Sequence, residues 1–277
     1  MAGTPKRLPS PAMLQLAAVE ELRALQALLA EARPEASVHG ARRRIKRLRS
    51  LLRLIRVPVG ETAFEQANTA LREAADALAG TRRAEALVVA AARLEPATAR
   101  SPFWRPLANA HSLSHAANTS PEAGLAAARA AIGRAVQALV VADVTDGDPD
   151  AAGHALLDAY AKARKRLRHA LASGEAEQLH EARKYVIHHL HHLAVLDMGT
   201  KKQAARLEVL REVLGDLNDL DELAQLAEGA AATPSRAGVP IRKARARLLT
   251  QAKEAADQLF EHGAGTYARR LGLTLGS

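Results

Sequence analysis

Apolar residues recur every three or four positions along nearly the whole chain, and no stretch shows the strict alternation of a half-buried strand. The pattern predicts helices over 11–32, 36–56, 61–79, 81–95 and 122–143, then 151–172, 175–197, 200–214, 216–231 and 239–263, with a short piece near 266–272. Helix-breaking residues punctuate them: Arg33-Pro34, Val57-Pro58-Val59-Gly60, Asp146-Gly147-Asp148-Pro149, Ser173-Gly174, Gly199 and Thr233-Pro234. Pro96 to Pro121 is too long for an ordinary connection and reads as an irregular junction inside the first half, with Phe103 and Trp104 as its aromatics. The expected fold class is all-α.

One of these helices is unusual on its polar side. Residues 38–56 hold eight Lys/Arg and no acid. At about 100° per residue, His39, Arg42, Arg43, Lys46, Arg49, Arg53 and Arg56 share one stripe. Ile45, Leu48, Leu51, Leu52 and Ile55 lie opposite, so one face can be buried while the other presents a row of cations. Arg44 and Arg47 point away from the stripe and are expected to pair with acids or face solvent.

The motif returns downstream as Leu179-His180-Glu181-Ala182-Arg183-Lys184, with His39 and His180 separated by an offset of 141. Leu78 to Leu87 aligns with Leu214 to Leu223 at an offset of 136. These offsets predict an internal repeat, with repeat one over 11–143 and repeat two over 150–272 as one domain behind a disordered leader at 1–10. Two such repeats would form pseudo-symmetric helical bundles whose equivalent helices face each other across a basic groove.

Composition narrows the chemistry. Hydrophobic residues make up 48% of the 277 but aromatics only 3%, which favours close helix packing over aromatic-rich sheets. A formal charge of +9 and a pI near 10.2 call for an anionic partner. Cysteine is absent, which removes disulfides, thiol nucleophiles and thiolate-bound metal from the alternatives. No apolar stretch reads as a membrane span and no signal-type segment follows Lys6 and Arg7, so a cytoplasmic chain is expected.

Taken in order, several segments carry a family likeness. They are Val38-His39-x-x-Arg42-Arg43-x-x-Lys46-Arg47-Leu48-Arg49, Asn68-Thr69-Ala70-Leu71-Arg72 and Tyr160-Ala161-Lys162-Ala163-Arg164-Lys165-x-x-Arg168. Then come the His180 motif, Leu214-Gly215-Asp216-Leu217-Asn218-Asp219-Leu220 and Tyr267-Ala268-Arg269-Arg270-Leu271. Over roughly 11–272 the chain resembles the CHAD family, the histidine-containing α-helical domain. The resemblance implies two pseudo-symmetric bundles and binding of inorganic polyphosphate in the groove between them. It also brings Arg72, Arg164 and Arg168 into the candidate site, beside His39, Arg42, Arg43, Lys46, Arg49, Arg53, His180, Arg183, Lys184 and His191. No Glu-x-Glu-x-Lys strand of the phosphatase domains that often accompany this family occurs, so a stand-alone copy is expected. Departures are Arg82-Arg83 where the family usually has Arg-Asp, and Ile187 where the second basic helix normally carries a lysine.

Polyphosphate offers repeating charge and acceptor oxygens with no ring to stack on, which suits rows of Arg forks and Lys point charges. His39 and His180, beside strong cations, are expected to stay neutral and donate hydrogen bonds. His188, His189, His191 and His192 have helical two-ligand spacings, but no further ligands are marked, so packing and groove lining are expected, with no metal and no cofactor. No nucleophile elbow or carboxylate pair marks an enzyme. The alternatives are a coat or scaffold on polyphosphate or polyhydroxyalkanoate granules, which would use exposed Phe103-Trp104, and a nucleic-acid binder, which the few aromatics disfavour.

Overall fold

The apolar stripes become the insides of two four-helix bundles in the computed structural model, which describes residues 8–30, 34–78, 80–94, 103–117, 121–144, 148, 150–229 and 238–273. Among the described residues there are twelve helices and no strand. The first bundle comprises α1 (Pro11–Ala30), α2 (Pro34–Leu54), α4 (Glu61–Ala77) and α7 (Pro121–Val140), with the four-residue α3 (Arg56–Val59) linking α2 to α4. The second comprises α8 (Ala151–Ser173), α9 (Ala176–Val195), α10 (Lys201–Gly229) and α11 (Gly238–Leu259), closed by α12 (Ala264–Arg270).

Each bundle has the same neighbour order. In the first, α2 touches α1 and α4, and α7 closes the ring against both. In the second, α9 touches α8 and α10, and α11 closes it. The bundles meet through α2 against α9 and α8. A hairpin of α5 (Gly80–Leu94) and α6 (Trp104–Ala117) leaves the first bundle and leans on α10 of the second.

Burial follows the periodicity. Ile45, Leu48, Leu52 and Ile55 of α2 are completely enclosed, as are Leu210, Leu217 and Leu223 of α10. Ser10 caps α1 by accepting the Met13 N–H at 3.3 Å, and Leu8 packs on the core, so part of the expected leader is ordered; residues 1–7 lie outside the described residues. Gly174 ends α8 with φ of 71°, in the left-handed region glycine tolerates, and its N–H reaches Ala170 O at 2.8 Å.

Three expectations change. The junction contains helix α6, and Trp104 is buried against Phe103 with ring centroids 4.9 Å apart, so it offers no exposed aromatic patch. The predicted break at Gly215 does not occur, because α10 runs through it. Glu122–Val140 in α7 is, by length and composition, apolar enough to cross a membrane, with mean hydropathy 1.2. One side of it packs on α1 and α4 with Ile132, Ala135 and Leu139 enclosed, while the other side, with Arg129, Arg134 and Gln137, is exposed.

Candidate functional site

The bundles are joined by a polar seam in an otherwise apolar contact. Ser50, on the buried side of α2, has its Oγ 2.9 Å from His188 Nδ1, 2.9 Å from His191 Nδ1 and 3.0 Å from Lys46 O. A hydroxyl has one proton and two acceptor positions. If it donates to Lys46 O, both imidazoles can donate Nδ1–H to it and every position is used. Ser50 O accepts from His192 Nε2 at 2.9 Å, and His189 Nε2 meets the Tyr267 hydroxyl at 3.0 Å. Three of the four histidines therefore turn to Ser50, two to its hydroxyl and one to its carbonyl, while His189 turns to Tyr267.

Burial keeps these rings neutral. It is the first cause holding His189 and His192 at about 3 and His191 at about 4, and it holds His188 well below the ordinary value, with neighbouring cations adding to the effect for His188 and His191. His191 is thus committed to the seam.

Beside the seam lies a cluster of like charge. Arg49 Nε donates to Asn68 Oδ1 at 3.2 Å, and Arg53 Nη1 donates to Arg49 O at 2.8 Å. Burial first, then Arg72, lowers the Arg49 guanidinium below its usual range, with Asp76 opposing. Burial first, then Arg49, brings Arg53 down to about 10. Among the described residues, none of Arg49, Arg53 and Arg72 forms an ion pair. By contrast Arg44 pairs with Glu21 at 3.2 Å, Arg56 with Glu61, Arg134 with Glu73 and Arg245 with Asp221 at 2.7 Å. Tyr185 of α9 flanks the cluster, with the Arg166 guanidinium of α8 4.9 Å from its ring centre.

The other predicted residues divide. Arg42 Nη1 donates to Ala75 O at 2.8 Å, and Arg183 Nε makes a longer contact to Arg211 O at 3.4 Å, so each braces α2 or α9 against its neighbour. Arg183 also lies over Gly215, where a Cβ would sit 3.1 Å from its Nη2. His180 Nδ1 is 2.7 Å from Asn218 Oδ1, and Lys184 is ion-paired with Glu181. Arg43 and Lys46 are exposed; the charge of Arg43 reaches Glu208 of α10, whose carboxyl is held low mainly by Arg211. Arg164 Nε donates to Phe260 O at 2.9 Å, and with exposed Arg168 its charge reaches Tyr160 instead of the Arg49 cluster. The His39 side chain lies outside the described residues. Sequence reading missed Ser50, Tyr185 and Arg166 as partners; only the spacing of Ser50 from His191, the same 141 positions as His39 from His180, signalled one of them.

The model of the CHAD domain matches residues 14–228, from α1 to the end of α10. The chain belongs to the CHAD domain family. Both basic helices and the Asn218 segment of this CHAD domain lie within the match, whereas α11 and α12 lie beyond it. Among solved structures, "PptA from Streptomyces chartreusis" superposes with a TM-score of 0.62 at 18% identity, covering 91% of this chain and 98% of that one. The CHAD domain from the plant Ricinus communis gives 0.47 at 18% identity, covering 94% of this chain and 93% of that one. At such identity the likeness to PptA concerns the fold alone. Comparison with curated proteins finds no match.

Proposed function

We propose that this CHAD domain binds inorganic polyphosphate without turning it over, along a basic groove entered at Arg49, Arg53 and Arg72. The carrying observation is that Arg49 sits between the charges of Arg72 and Arg53 and none of the three has a carboxylate ion pair among the described residues, whereas Arg44, Arg56, Arg134 and Arg245 are each ion-paired. Like charges held together cost free energy that an anion of matching spacing relieves. Arg166, Tyr185 and exposed Lys46 extend the surface on which further phosphates would lie.

The equal neighbour order of the bundles supports an origin by duplication. So do the paired braces: the 141 offset relates Arg42 to Arg183, and the 136 offset relates Ala75 to Arg211. The test is retention of the purified protein on long-chain polyphosphate at low salt, with elution by rising salt. Passage through the matrix at low salt would overturn the reading.

A second reading, attachment to polyphosphate or polyhydroxyalkanoate granules in the cytoplasm, is favoured by one feature. Met13, Leu16, Val140 and Val141 are at least half exposed around Gln15, which ties α1 to Leu139 O and Ala142 O at the end of α7. Imaging a tagged copy in granule-rich cells tests it, and diffuse signal would count against it.

A further inference from the structure

The second bundle contains a cleft away from the α2–α9 seam. It has a volume of about 690 Å³ and lies between the start of α10, the end of α11 and α12. Its floor is aromatic and rigid. Tyr160 and Tyr267 stack with centroids 3.8 Å apart and planes 4° from parallel, and Phe260 backs them. Both hydroxyls are tied, Tyr160 donating to His262 O at 2.8 Å and Tyr267 accepting from Gln203 Nε2 at 2.6 Å.

The rim is cationic. Lys202, Arg206 and Arg270 line it, against a single carboxylate, Glu261. Among the described residues Lys202 and Arg206 have no ion-pair partner, and Arg270 meets the His262 ring. Glu261 is directed to His262 at 3.6 Å. Leu259 and Leu271 supply apolar wall, and Gln258 is exposed at the edge.

We propose that this cleft is a second ligand site, for a nucleoside di- or triphosphate. The volume falls within the range of small-molecule sites. Three cations facing one acid select a multiply charged anion. A bare phosphate chain would leave the partly exposed Leu259 and Leu271 uncovered, whereas a nucleotide places its base against them, above the buried Tyr160–Tyr267 stack, and its phosphates on Lys202, Arg206 and Arg270. The Gln258 amide can both donate to and accept from a base edge. This site is independent of the polyphosphate reading, since it shares no residue with the Arg49 cluster.

The experiment is isothermal titration of the full chain with ATP, pyrophosphate and adenosine. ATP is expected to bind, with pyrophosphate and adenosine each at least about tenfold weaker. Combined Lys202→Glu and Arg206→Glu, both at exposed positions, should weaken ATP at least about tenfold while retention on polyphosphate persists. Arg49→Glu should leave ATP binding unchanged. The proposal fails if ATP gives neither heat nor a thermal shift up to about 1 mM. It fails also if pyrophosphate binds as well as ATP, or if ATP binding is lost with Arg49→Glu and kept in the Lys202/Arg206 variant.

Discussion

Ser50 Oγ and His191 Nδ1 are 2.9 Å apart, and the two residues are separated by the 141 positions that also separate His39 from His180. Ser50 is on α2 and His191 on α9, the helices through which the two bundles meet. The contact therefore marks where one bundle is locked to the other, and it does so with a hydroxyl that serves two imidazoles and a carbonyl.

Removing that hydroxyl should be costly out of proportion to its size. Ser50→Ala leaves two partly buried imidazoles without their shared partner, at a cost of about 1 kcal/mol or more. Urea unfolding is expected to show a lower midpoint at unchanged slope. A midpoint equal to the parent's would mean the seam contributes nothing.

Acid should loosen the molecule through the same histidines. The unfolded chain takes up protons near the ordinary value of 6.5, whereas folded His189 and His192 resist to about 3 and His191 to about 4. Unfolding therefore takes up protons in between, and stability falls as pH drops from about 6.5 toward 4, by up to about 1.4 kcal/mol per pH unit for each linked ring. Above that window these groups leave stability flat. Thermal melts across pH 4 to 8, on the parent and on His189→Gln, check this; the variant should show the shallower dependence.

Charge reversal separates the crowded arginines from the paired ones. Arg53→Glu is expected to weaken retention on polyphosphate by about tenfold or more and to flatten its salt dependence. Arg44→Glu, which disrupts only the exposed pair with Glu21, should change retention little. Equal effects of both would show that overall charge, not the cluster, governs binding.

Gly215 is the remaining test, and here two effects oppose each other. Alanine gains about 1 kcal/mol of helix propensity, but its Cβ would crowd the Arg183 guanidinium at 3.1 Å. The guanidinium can shift, so Gly215→Ala should be near neutral in denaturant unfolding. Gly215→Leu should be destabilising by about 1–3 kcal/mol, through overpacking.

Much of this molecule could be read from the chain because helices announce themselves locally. The apolar stripe of α2 is buried where its spacing places it, and Arg44 pairs outside the basic stripe as its angle requires. Gly215 misled because a helical glycine and a helix-ending glycine look alike; what distinguishes them is the Arg183 side chain arriving from α9. Helix α6 was hidden among prolines, and its order depends on Trp104 finding a buried place. The stripe rule placed Arg42 and Arg49 on one face but could not say that Arg42 spends its donors on Ala75 O while Arg49 sits among other arginines. Such distinctions belong to tertiary contacts, which no period encodes.

The hairpin of α5 and α6 precedes α7 in the chain yet rests on α10, which is made much later. During synthesis the ribosome must therefore deliver this hairpin well before its resting place exists. Until then Ala90 and its neighbours lack the α10 wall that later faces them. The halves are consequently poor candidates for separate expression, however alike they are, and a chain stopped after the first bundle would expose a sticky flap.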